Sequence, residues 1–133
     1  MIRVTDELRR DHVIIVTALS EAKAFGITSK EGNLQIQKAF KKLHKHLEDE
    51  EKKLYPTLNK AAEKNDRLKM LMNEEMSEIG ELILSAEDFF DRFESGDFKT
   101  DQHDELDTFI HALMARTKKE ETTIYPEYEK LAI

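Results

Sequence analysis

The chain of 133 residues has no cysteine. That excludes disulfides, thiolate metal sites and a cysteine nucleophile, and it suits a reducing compartment. It has two prolines, Pro56 and Pro126, few valines and no period-two alternation, so nothing in it signals a strand. No apolar run approaches the ~20 residues that span a bilayer. The first residues, Met1 to Glu7, lack the long apolar core of a signal peptide. A cytoplasmic protein that does not enter a membrane is the expectation. Basic charge is also short: the formal net charge is -7 and the pI is near 5.3, which argues against nucleic acid as a partner. Phosphate-binding loops and nucleophile triads are missing as well.

What the chain does have is charge interleaved with apolar residues. Charged residues make up 37% of it, spaced as the solvated face of amphipathic helices. The length fits one domain, residues 1–133, with one core. Four helices are expected. The first runs from Asp6 to Phe25, capped by Thr5 or Asp6 and ended by Gly26. The second runs from Leu34 to Ala62, with Pro56 kinking or dividing it near Tyr55. The third runs from Asp66 to Phe93. The fourth runs to Leu131 after a cap at Thr100 or Asp101. Short polar turns between them favour antiparallel neighbours, so the fold class is all-α, an up-down-up-down four-helix bundle.

Polar residues interrupt the apolar stripes at particular places. In the second helix the stripe Ile36, Phe40, Leu43, Leu47, Leu54, Leu58 needs an inward residue between Leu47 and Leu54, and Glu50 fills it. His46, one turn earlier, borders the same face, and His and Glu at this spacing can share one ion. A carboxylate aimed at a core is expensive unless paired or metal-bound. His12 stands in the stripe Leu8, His12, Ile15, Leu19, Ala22, and Glu120 in the stripe Leu113, Thr117, Glu120, Ile124. A lone inward histidine is more often a satisfied core residue than a ligand. His44 and His111 face solvent, and His103 falls near a bundle end. Glu75 sits at the edge of the third helix's stripe and reads as a boundary carboxylate. Met70, Met72 and Met76 read as bundle packing.

The chain also repeats itself. Glu50-Glu51-x-x-Leu54-Tyr55-Pro56 is matched by Glu120-Glu121-x-x-Ile124-Tyr125-Pro126. The same pairing sets Arg116 against His46, and a looser one sets Met76 against His12. Asp11-His12, the run Leu43-x-x-His46-Leu47-x-x-Glu50-Glu51-x-x-Leu54-Tyr55-Pro56 and its echo resemble the hemerythrin-like, or HHE cation-binding, domain family over nearly the whole chain. That resemblance implies a four-helix bundle holding a di-iron centre. It implies metal ligands at His12, His46, Glu50 and Glu120, with the two glutamates as bridges. The second iron's histidines have no counterpart, since Met76 and Arg116 stand at their positions.

Arg116 keeps its charge and offers no lone pair. Beside Glu50 and Glu120 it could substitute for a second ion. Two readings stay open. One is a metal-binding module holding one ion rather than two, with iron, manganese or zinc all suited to two imidazoles and two carboxylates. It would serve iron-, oxygen- or nitric-oxide-related binding or sensing, with a small diatomic ligand as partner. The other is a metal-free bundle, structural or partner-binding, with an Arg116–carboxylate polar core. An enzyme acting on a small oxidant or nitric oxide would need an open coordination position as well.

Overall fold

The helix ends are set by the residues that strain the backbone least. Helix α1 (Val4–Phe25) stops at Gly26, whose φ of 87° a side chain would resist. The Ser29 hydroxyl opens α2 (Lys30–Asp49) by accepting the Gly32 N–H at 2.9 Å. A five-residue π-turn (Glu50–Leu54) joins α2 to α3 (Tyr55–Ala62). Asn65 caps α4 (Asp66–Ser95), accepting the Leu68 N–H at 3.1 Å, and Gly96 ends it in the left-handed conformation at φ 71°. The last rod is α5 (Gln102–Lys119), a second π-turn (Glu120–Ile124) and α6 (Tyr125–Leu131).

The computed structural model describes residues 3–96 and 102–131. These form four rods with no strand among them. α1 lies against α2 and α5, and α4 lies against α3 and α5, which is the expected up-down-up-down bundle. No helix among the described residues is long and apolar enough to cross a membrane.

Several boundaries differ from expectation for physical reasons. The first helix starts at Val4, and Thr5 lies inside it, buried, with its hydroxyl on Glu129 at 3.0 Å. The second begins at Lys30 rather than Leu34, because Ser29 supplies the cap. The anticipated caps Thr100 and Asp101, and the side chain of His103, lie outside the described residues. Of the methionines on α4, Met72 is in the core, while Met70 and Met76 are exposed at 73% and 37%.

Each rod is divided ahead of its proline, as expected, with a new α-helical segment beginning at Tyr55 and at Tyr125. The adjustment starts one turn earlier. Pro56 and Pro126 each lack an N–H and would crowd the carbonyl four residues back. A π-turn widens the helix ahead of each of them, with the N–H of Tyr55 and Tyr125 donating five residues back to Glu50 O and Glu120 O. In the second turn, Thr122 and Thr123 hydroxyls donate to the carbonyls of Lys118 and Lys119 at 2.9 and 2.5 Å. The extra residue in the turn brings two adjacent side chains inward. Leu54 and Tyr55 are both buried, as are Ile124 and Tyr125.

The core is divided. One apolar cluster includes Ile15, Leu43, Ile79 and Leu113, and is closed by rings from Phe40, Phe89, Phe90 and Phe109. The other includes Leu8, Leu54, Met72 and Ile124. On every rod the chain crosses from one cluster to the other through buried polar residues. These are His12 on α1, His46 and Glu50 on the second rod, Glu75 on α4, and Arg116 and Glu120 on the last.

Two predictions follow from the fold's edges. A β-carbon on Gly32 would stand 1.9 Å from the Gly26 carbonyl oxygen, so the first turn of α2 would have to move. Gly32→Ala should cost about 2 kcal/mol in denaturant unfolding, the scale of overpacking. At the other end, Glu129 on α6 accepts a two-pronged contact from Arg9 at 3.2 and 3.3 Å as well as the Thr5 hydroxyl. The Arg9 and Thr5 hydrogen bonds outweigh a modest burial penalty and hold its carboxyl below the usual range. A carboxyl whose pKa falls on folding stabilises the native state at neutral pH, and that share is lost as pH drops below about 4. Glu129→Gln should therefore be less stable than the wild type at pH 7, with the difference shrinking as acid is added.

Candidate metal centre

At the level of the divided core, α1 brings in His12, the second rod His46 and Glu50, and the last rod Glu120. Between 0% and 5% of each residue's surface is accessible. One ligand atom from each lies within 4.8 Å of all the others. His12 Nε2 and His46 Nε2 are 3.2 Å apart, His12 Nε2 and Glu120 Oε1 3.3 Å, and His46 Nε2 and Glu50 Oε1 3.4 Å. A four-coordinate ion with bonds of about 2.0–2.1 Å spaces its ligands about 3.3 Å apart, so these edges already match.

The outer nitrogens of both histidines are engaged. His12 Nδ1 lies 2.7 Å from Glu121 Oε2, and His46 Nδ1 lies 3.0 Å from Asp11 Oδ2. Each carboxylate can only accept, so the proton belongs on Nδ1 and the lone pair on Nε2 points inward. This is how carboxylate-backed histidines are oriented for a metal. Asp11 is in turn paired with Lys42 at 3.0 Å. Two inward lone pairs flanked by two carboxylates repel one another unless a positive charge sits among them. Glu120 Oε2 is buried and has no hydrogen-bond partner at all. The donor set therefore fits a cation.

The titration behaviour has the same origin. Burial, then the charge of His46, lowers the His12 pKa against the pull of Glu121 and Glu50. Burial opposes the charged form of His46 too, but Glu50 and Asp11 outweigh it and raise its pKa. Glu120 is raised well above the usual range by burial, by Glu50 and by Glu75, with Arg116 opposing.

The tyrosines that follow the π-turns complete the layer. The Tyr125 hydroxyl donates to Glu50 Oε2 at 2.9 Å and lies 3.1 Å from His12 Nε2. The Tyr55 hydroxyl donates to Glu75 Oε2 at 3.1 Å, with Glu50 Oε1 at 3.5 Å. Burial, then the neighbouring carboxylates, pushes both phenols far above their ordinary value, so they remain neutral donors.

Three expectations change. Glu75 is no boundary carboxylate: it is 1% exposed, bonded to Tyr55 and to Arg116. Met76, the expected counterpart of His12, faces outward, and Glu75 holds the inward position instead. Arg116 does not pair with Glu50 or Glu120. Its partners are Glu75 and Glu78 across on α4, and Lys119 joins Glu78 and Glu74 there. His44 and His111 are exposed, as expected.

The fold is a four-helix bundle, and its interior holds a cluster of metal-ligating side chains from three rods. A family model for the hemerythrin HHE cation binding domain matches residues 3–128, and the chain belongs to that family. Neither a curated protein nor a solved structure matches it.

Removing Arg116 would strand Glu75 in the core. Arg116→Met should destabilise the chain by ~3–5 kcal/mol, the cost of one uncompensated buried partner. Adding Glu75→Gln to that variant should restore most of the loss in chemical denaturation.

Proposed function

We propose that the chain binds one divalent transition-metal ion at His12, His46, Glu50 and Glu120, with iron as the resident ion, and uses it for binding or sensing a small diatomic molecule such as dioxygen or nitric oxide. The observation that carries this reading is the convergence of four buried ligand atoms, one beside a carboxylate oxygen with no other partner. Charge supports one ion rather than two. Counted as ions, Glu50, Glu75 and Glu120 carry three negative charges into the layer, and Arg116 returns one. With both histidines neutral, the remainder is what a single divalent ion neutralises.

Each residue has a part. His12 and His46 supply neutral nitrogens, held in place by Glu121 and Asp11. Glu50 is steadied by the Tyr125 hydroxyl. Arg116 and Glu75 occupy the side of the layer where the resemblance would place a second ion, and they satisfy each other there. Bound ferrous iron would supply reversible coordination or one-electron exchange with the diatomic molecule. The surrounding leucines and isoleucines keep bulk water from it.

The Arg116–Glu75 pair also supports a second reading, a metal-free bundle whose polar layer is structural. The two readings part on metal content. After anaerobic reconstitution with ferrous iron and desalting, about one ion per chain is expected by elemental analysis, and Glu50→Gln should reduce it to background. Wild-type protein that retains no ion would leave the metal-free reading standing. Two ions per chain would overturn the single-ion assignment.

A further inference from the structure

A void of about 10 Å³, room for about one water-sized molecule, adjoins the ligand cluster on the side of the phenylalanine-capped core. Its apolar walls are Ile15, Leu43, Leu47, Ile79, Leu82 and Leu113. Outside it, between α2 and α4, lies an open groove of about 440 Å³. The groove is lined by Phe40, Leu43, Leu47, Ile83, Ala86 and Phe90, with charges of both signs at its rim from Lys41, Glu87 and Asp91. Leu43 and Leu47 belong to both linings. Two aliphatic side chains are thus the boundary that this groove shares with the void.

We infer that this groove is the route by which a small uncharged molecule reaches the buried layer, with Leu47 as the gate. Leu43 is buried, whereas Leu47 is half-buried and packs on the core from its edge. Swinging Leu47 aside breaks no hydrogen bond. Two other grooves meet the void: one between α4 and α5 at Leu82 and Arg116, where Arg116 is held by its ion pairs to Glu75 and Glu78, and one between α1 and α5 at His12 and Thr117. There the wall is pinned, by His12 Nδ1 to Glu121 and by the Thr117 hydroxyl to Met114 O at 3.0 Å. Opening that side would disturb a ligand; opening the α2–α4 side moves only a leucine. The apolar lining and the mixed rim charge favour an uncharged visitor over an ion. The size of the void restricts the visitor to molecules close to water in size.

This route serves the diatomic ligand proposed above, but it can be tested without a metal. Dioxygen is a suitable probe, since it is uncharged, close to water in size and paramagnetic, so it speeds the relaxation of methyl groups that it reaches. In the metal-free chain, raising dioxygen pressure should enhance the relaxation of the Leu43, Leu47 and Ile83 methyls, and also of the inner Leu82 and Leu113. Leu47→Trp should slow dioxygen exchange at the inner methyls by about tenfold, and Leu47→Ala should speed it severalfold. Val13→Trp, which fills the α1–α5 groove, should leave it unchanged. Inner methyls that do not respond to dioxygen, or that respond to Val13→Trp and not to the Leu47 pair, would overturn the route. In ferrous protein the nitric oxide association rate should follow the same order of variants. If dioxygen enters as expected but no iron is retained, the route stands and the proposed function falls.

Discussion

Buried charge has to be answered within the layer that holds it. Everything else in this bundle is arranged around that requirement. Glu50, Glu75 and Glu120 enter the interior at one level from three rods, and Asp11 joins them from the fourth, answered by Lys42. In surroundings of low polarity, an unanswered carboxylate would cost more than a domain of this size can spare. Arg116 answers Glu75, and the tyrosine hydroxyls supply hydrogen bonds without adding charge. Glu50 and Glu120 are left facing two histidine nitrogens, which is the composition of a cation site.

The repeat in the chain has therefore diverged in a physically specific way. One half of the layer has the composition of a cation site, and the other is answered by a charge attached to the backbone. The two solutions differ in what they permit. A coordinated ion can change its ligands or its oxidation state, while a guanidinium held between Glu75 and Glu78 can do neither. Placing the fixed charge on α4's side confines any ligand chemistry to the side of His12 and His46, next to the void and the leucine wall.

The four rods and the four candidate ligands could be read from the chain because they obey simple periods. His12, Glu50 and Glu120 each take a place that an apolar residue should hold, and His46 borders one. Glu75 was hidden by a degeneracy. After Met72, either Glu75 at a step of three or Met76 at a step of four reaches Ile79 in an allowed rhythm, and hydropathy favours the methionine. Only Arg116, arriving from another rod, makes the glutamate the inward residue. The tyrosines were hidden by phase. A regular helix that buries Leu54 turns Tyr55 aside, and the π-turn that brings both inward cannot be seen in apolar spacing alone. Its trace in the chain is the recurrence of Tyr-Pro after each acidic pair. Asp11 and Glu121 were likewise visible as neighbours of the ligands, but their work of orienting the imidazoles emerges only when α1 meets its partners.

The paired π-turns have one more consequence. Each is a single surplus residue carried inside a rod, and an α-helix advances about 100° per residue. Excising one amino acid from either segment would let the rod relax to ordinary winding and rotate everything beyond it by that angle. The phenol would swing away from the glutamate it steadies, and the outer cluster would lose its interdigitation in the same movement. The turns have room for exchange at exposed positions such as Lys52 and Lys53, but neither can lose a residue without dismantling the chamber.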